Sequence, residues 1–113
     1  NETWRELTAV YMPWMKLDDI PFYGEGRAWQ RQRHIYQYPF YYIDYCLAQT
    51  ISLQFWALIA KDRGAAWEKY MAYTRPAGTM TFLELLEQAG LRSPFDPETL
   101  KELAGEAKAW LAV

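Results

Sequence analysis

Hydrogen-bonding aromatic residues crowd into one stretch of the sequence, residues 34–49. It holds the only histidine, His34, followed by five tyrosines: Tyr36, Tyr38, Tyr41, Tyr42 and Tyr45. A buried phenol without a hydrogen-bond partner costs roughly 1–3 kcal/mol. Phenols and an imidazole that face a cavity can instead bind a peptide carbonyl and stabilise an oxyanion. The stretch indicates a binding site for a substrate or transition state, although the same residues also suit an aromatic core with one hydrogen-bonded histidine.

Other common chemistries lack their residues in this chain. A self-contained zinc site is not expected, because there is one histidine, one cysteine and no HExxH pattern. Neither G-x-S-x-G nor a phosphate-binding loop is present. A dyad of Cys46 with His34 would need the two to meet across twelve residues, about 18 Å of helix. We therefore expect no metal ligands in the chain and a buried, unreactive Cys46.

Composition predicts a folded domain in a reducing compartment. Of 113 residues, 51% are hydrophobic and 18% aromatic, which supplies a core and excludes disorder. The net charge of −2 lacks the basic character of a nucleic-acid-binding protein. Polar residues interrupt the longest apolar run, so no membrane span is expected. A single cysteine and a polar first segment favour the cytoplasm. The start at Asn1 suggests a processed chain or a piece of a longer one.

The periodicity predicts helices that would carry the tyrosine-rich stretch. Pro39 suits the first position of a long central helix over residues 39–61, and helical spacing would place Tyr38, Tyr41 (or Tyr42) and Tyr45 on one face. An earlier helix should start at a Thr3–Glu6 capping box and break near Pro13.

Local capping signals predict the remaining helices. A helix over residues 65–73 should follow the Asp62-Arg63-Gly64 break, and a Thr81–Glu84 capping box should open residues 82–89, with Gly90 after the end. Asp96 and Pro97 should start the last helix. The prediction is an all-α fold of about five helices in a single segment, residues 1–113, around the central helix.

Three motifs resemble the C-terminal part of the oligoendopeptidase F family, zinc metallopeptidases related to thimet oligopeptidase. They are WQRQRHIY at residues 29–36, PFYYIDYCLAQ at residues 39–49 and FLELLEQAGL at residues 82–91. The resemblance spans roughly Trp4 to Trp110. It implies a helical fold around a deep channel and cleavage of short peptides inside the cell. The family's HExxH helix and its third zinc ligand, a glutamate, would lie upstream of Asn1.

The resemblance also implies roles for individual residues. His34 would bind the substrate or the oxyanion side of the tetrahedral intermediate, and Tyr38, Tyr41 and Tyr45 would donate further hydrogen bonds, with Tyr42 as an alternative. His34 and Tyr45 are the expected catalytic residues. Zinc would belong to the full-length enzyme and none to this segment, which should be inactive alone. Its partners would be short peptides and the upstream metal-binding segment.

A second hypothesis needs no parent enzyme. The chain could be a free-standing helical module whose aromatic face docks a partner helix or peptide. A segment cut from a larger domain should instead leave apolar surface uncovered, and we expect an exposed aromatic patch or self-association.

Overall fold

A computed structural model describes residues 1–112, which form helices and turns and contain no β-strand. Six α-helices and one 3-10 helix follow in this order: α1 (Glu2–Tyr11), the 3-10 helix (Ala28–Arg31), α2 (Arg33–Gln37), α3 (Ile43–Lys61), α4 (Arg63–Thr74), α5 (Phe82–Gln88) and α6 (Pro97–Leu111). The predicted all-α class is confirmed. The chain divides into two compact units, residues 1–42 and residues 43–112. That both belong to one segment of a larger catalytic domain stays a prediction.

The first unit begins with α1, whose end the sequence predicted and whose start it did not. α1 ends at Tyr11, two residues before Pro13, because the residue before a proline is biased away from helical geometry and proline has no N–H. The predicted capping box at Thr3 is wrong: the helix begins at Glu2, with Asn1 at the N-cap. The Asn1 side chain does not cap the helix but accepts a hydrogen bond from Trp29 Nε1 at 2.9 Å.

Gly26 lets the connecting loop pass close to the start of α1. It is buried and has a φ of +69°, in the left-handed region. A Cβ atom at this position would lie 2.2 Å from the carbonyl oxygen of Asn1. Only glycine combines this φ with this approach without strain.

The core of the second unit lies between α3, α4 and the α5 segment. Its buried members are Ile51, Phe55, Leu86, Ala89 and Leu91. Two tyrosines of α4 pack edge-on against Phe55, with ring centroids 5.3 Å (Tyr70) and 6.0 Å (Tyr73) away. α6 packs against α3.

Side-chain caps set most helix starts in the second unit; the sequence predicted those of α5 and α6, whereas α4 begins at Arg63 instead of residue 65 because Asp62 caps it. Asp62 accepts hydrogen bonds from the backbone N–H groups of Gly64 and Ala65, at 2.9 and 3.1 Å, and so starts α4 directly after α3. Thr81 and Glu84 form a complete capping box on α5. Asp96 caps α6, and Pro97 follows at its first position.

The central helix, α3, ends at Lys61 as predicted, but it begins at Ile43 and not at Pro39. The backbone of Tyr38 leaves helical geometry, with ψ at 66°, as expected before a proline. Phe40 then takes a left-handed φ of +69°. Tyr38, Tyr41 and Tyr42 therefore belong to a turn, and their predicted common helical face with Tyr45 does not exist.

No helix within residues 1–112 has the length and apolar character needed to cross a membrane.

Candidate functional site

The imidazole of His34 is packed against two of the predicted tyrosines. His34 lies in α2, and Tyr41 and Tyr42 follow in the turn after that helix. The ring centroid of His34 is 4.6 Å from that of Tyr42, with the rings tilted by 45°. Tyr41 stacks on the same imidazole at 6.0 Å and 21°. The structure thus brings together a histidine and two phenols that the sequence separates by seven and eight residues.

A tight turn places these tyrosines. The N–H of Tyr41 donates to the carbonyl of Tyr38 at 3.2 Å, and Pro39 and Phe40 occupy the two central positions. Proline first and a positive φ second define a type II turn, whose second central position normally holds glycine or asparagine. Phe40 is there instead, with φ at +69°. The left-handed region costs roughly 1–2 kcal/mol for a residue with a Cβ, so this turn is strained.

The tyrosines of the turn and the histidine differ in their exposure to solvent. The tyrosine rings of Tyr38, Tyr41 and Tyr42 are each half or more exposed, whereas His34 is half-buried and its Nδ1 atom is shielded from solvent. Tyr38 contacts Tyr41, with centroids 6.4 Å apart. The tyrosines therefore keep about half or more of their surface exposed, while the imidazole packs among aromatic rings.

Trp29 supports the other side of α2, a role that sequence reasoning missed. Its indole stacks on Tyr36 at 6.3 Å, and its Nε1 donates to the Asn1 side chain. Trp29 thereby ties the segment that carries His34 to the start of α1. The seven-residue separation of Trp29 and Tyr36 was the available signal, but only an observed 3-10 helix followed by α2 puts the two rings in contact.

Two arginines near this segment, Arg27 and Arg31, already have partners within the unit. Arg31 donates to the Tyr23 hydroxyl, and its guanidinium carbon lies 5.7 Å from the centroid of that ring. Arg27 forms an exposed ion pair with Glu25 at 2.7 Å. These contacts account for both side chains as surface interactions, and we assign neither to the site.

Tyr45 and Cys46 lie in the second unit, in the first turns of α3. The ring of Tyr45 is 54% exposed. The structure therefore groups His34, Tyr38, Tyr41 and Tyr42 in one unit and places Tyr45 in the other. Cys46 is exposed, so the prediction of a buried cysteine is wrong. The apolar run around it does not bury every residue, because α3 has its buried positions from Thr50 onward.

The side chains of residues 1–112 do not form a metal site. No group of three or more His, Cys, Asp or Glu side chains among them is placed to hold a metal ion. Three protein ligands are the usual minimum for catalytic zinc. Within the described part of the chain, the groups gathered around His34 are those of hydrogen bonding and aromatic contact.

Comparison with solved structures finds two similar peptidases. One is the X-ray structure of a protein described as oligoendopeptidase F, at 40% identity and a TM-score of 0.86. The other is PZ peptidase A with an inhibitor, at 38% identity and a TM-score of 0.87. The resemblance to oligoendopeptidase F is confirmed. Each match covers 98% of this chain but only 20% of the other chain, a relation consistent with a C-terminal segment of a peptidase of the oligoendopeptidase F type.

No protein-family model matches the chain, and no curated protein is similar enough to count as a match. The two solved structures thus carry the relation to peptidases. The chain spans about a fifth of their length, so they show its helical fold and its similarity to part of each peptidase. This similarity does not extend to the activity of a complete protein.

Proposed function

We propose that this chain is the C-terminal segment of a zinc-dependent oligoendopeptidase that hydrolyses short peptides. In this proposal the chain contributes side chains that bind the substrate and the transition state. Zinc and the HExxH helix come from an upstream segment, and the parent enzyme works in the cytoplasm. The chain alone is inactive, and it binds neither nucleic acid nor membrane.

The observation that carries the proposal is the packing of Tyr41 and Tyr42 on His34. Contact with two rings restricts the orientation of the imidazole before any ligand binds. Donors fixed in advance stabilise developing negative charge better than donors that must reorient. The phenols of the exposed tyrosines can donate to a peptide carbonyl in the bound substrate and to the oxyanion that replaces it. Tyr45 is included on the resemblance alone.

Substitutions in the complete polypeptide test this assignment. We expect His34→Ala, Tyr41→Phe and Tyr45→Phe each to lower kcat, by about 10²–10³-fold for the loss of a donor to the oxyanion. Zinc content, measured by atomic absorption on the purified protein, should not change, because none of these residues is proposed as a ligand. The assay is cleavage of a quenched fluorescent peptide.

Tyr36→Phe is the matched control. Tyr36 is a tyrosine of the same unit whose ring stacks on Trp29, and loss of its hydroxyl should leave turnover intact. If His34→Ala and Tyr45→Phe both retain full turnover, the site assignment is wrong. If the complete polypeptide binds no zinc and cleaves no peptide, the proposed function itself is wrong.

An apolar groove in the second unit favours the alternative, a free-standing interaction module. The groove has a volume of about 1070 Å³ and is lined by Phe55, Trp56, Ile59, Trp67 and Tyr70, among others. An apolar helix could lie in such a groove. The gene distinguishes the two: an open reading frame that starts near Asn1 supports a free-standing module, and one that continues upstream to HExxH supports the peptidase.

A further inference from the structure

Phe40 occupies a backbone position that disfavours it, and its ring gains no burial in return. The type II turn would be relaxed with glycine at this place. The side chain of Phe40 is nevertheless 94% exposed. A left-handed non-glycine residue persists where the surrounding structure or a function requires it, and such residues concentrate at ligand sites.

Phe22 is the instructive comparison within the same unit. It is also a phenylalanine with a positive φ, +72°. Its ring, unlike that of Phe40, is partly buried and packs edge-on against Tyr23 at 5.5 Å. Packing within the unit accounts for a phenylalanine at position 22, and it does not account for one at position 40.

We propose that Phe40 binds an apolar side chain of the peptide substrate and so contributes to sequence preference. The inference rests on the proposed function. Phe40 directly precedes Tyr41, which stacks on His34. Successive residues of an extended peptide are about 3.3–3.6 Å apart. Because the Cα atoms of Phe40 and Tyr41 are only about 3.8 Å apart, in this proposal a peptide bound at the phenol of Tyr41 presents a neighbouring side chain to the exposed Phe40 ring.

The turn also suits this role physically. Pro39 restricts the backbone before Phe40, and the Tyr41–Tyr38 hydrogen bond closes the turn. An aromatic ring on such a turn loses little conformational freedom when it binds, and it offers a large apolar face.

The test is a set of coupled substitutions in the complete polypeptide and in its substrate. A quenched fluorescent peptide that the enzyme cleaves is compared with versions in which each large apolar residue in turn is alanine. We expect Phe40→Gly to raise KM roughly tenfold, the scale of a lost apolar contact, with kcat unchanged. For one alanine-substituted peptide the effect should disappear, because the partner of the ring is already absent.

Two control variants accompany it. Phe22→Gly relaxes the same kind of backbone strain outside the turn and should leave KM unchanged for every peptide. Phe40→Tyr keeps the ring and should retain the peptide preference. The melting temperature of Phe40→Gly should not fall, since glycine suits the turn and the ring is exposed.

Several results would overturn the inference. An equal loss for all peptides would show that Phe40 only shapes the turn, and unchanged kinetics would show that it touches no substrate. A lower melting temperature with unchanged peptide coupling would mean that the ring packs against the rest of the polypeptide. If His34→Ala loses activity but the effect of Phe40→Gly is the same for every peptide, the inference about Phe40 is wrong and the proposed function is still supported.

Discussion

Gln54 is a buried polar residue that joins two parts of the second unit. Its side-chain Nε2 donates to the carbonyl of Arg92 at 2.9 Å, and its Oε1 accepts from the N–H of Arg92 at 2.8 Å. Only 8% of the residue is exposed. The amide thereby fixes α3 to the connection between α5 and α6, as a backbone strand would, and satisfies both of its own polar ends.

Replacing this amide should destabilise the unit. Gln54→Leu has a similar size but leaves the N–H and carbonyl of Arg92 without this partner, which costs roughly 1–3 kcal/mol. The change in the free energy of unfolding is measured by urea denaturation of the chain, with circular dichroism as the signal. Gln49→Leu is the control, because Gln49 lies on the same helix and is exposed. Equal stability of the two variants would contradict the bridging role.

Helix ends in the second unit depend on charged caps. The hydrogen bond from the Thr81 side chain, followed by that from the Thr81 backbone, lowers the pKa of Glu84. The pKa of Asp96 is lowered first by the backbone N–H of Glu98 and then by Arg92. At the other end of α5, Lys69 Nζ donates to the carbonyls of Ala89 and Gly90 at 3.2 and 3.1 Å.

These caps should make the unit sensitive to acid. A carboxylate with a lowered pKa in the folded chain binds protons more readily when the chain is unfolded, so stability rises with pH in that range. The contribution is complete above the ordinary carboxylate pKa of about 4 and is lost as pH falls below it. We expect the urea midpoint to drop as the pH falls from about 5 to about 2.5, a range that brackets the ordinary carboxylate pKa of about 4.

The double variant Glu84→Gln, Asp96→Asn isolates this effect. It should be less stable than the parent chain at pH 7 and should lose less on acidification, because two of the titrating groups are gone. An unchanged dependence on pH would show that other carboxylates control the acid transition. Exposure of both groups keeps the expected effect small and sensitive to salt.

Many large apolar side chains are exposed within residues 1–112. Large exposed side chains include Trp14, Ile59, Trp67, Trp110 and Leu111. Monomeric proteins seldom expose wide contiguous apolar patches. Large aromatic side chains are exposed, as the sequence predicted, and a groove of about 1070 Å³ along α3 and α4 is lined by Trp56, Trp67 and Tyr70, among others.

We expect the isolated chain to self-associate or to bind a hydrophobic dye through this groove. Trp67, 58% exposed on its wall, is the residue to change. Trp67→Gln should reduce dye fluorescence and shift the sedimentation profile toward monomer. Trp14→Gln, which removes an exposed tryptophan of the other unit, should do neither. A parent chain that sediments as a clean monomer and binds no dye would contradict the expectation.

Local chemistry alone was sufficient to predict many helix ends. Asp96 with Pro97, and Thr81 with Glu84, satisfy free N–H groups from within a few residues, so their effect does not depend on the rest of the fold. Pro13 ends α1 for an equally local reason. The residue types of the site, a histidine among tyrosines, and the resemblance to a peptidase family were also legible in the sequence.

The arrangement of that site required the tertiary structure. Periodicity predicted one helix through Tyr38, Tyr41 and Tyr45, but a left-handed Phe40 breaks it. No local signal announces a positive φ at phenylalanine, because the preference of the isolated residue opposes it. Contacts between residues distant in sequence, such as Trp29 with Asn1, were equally hidden. Sequence by itself determined the all-α class, several helix ends and the chemical groups of the site. Tertiary structure decided where the central helix begins and which groups meet, because packing can override a local backbone preference worth only about 1–2 kcal/mol.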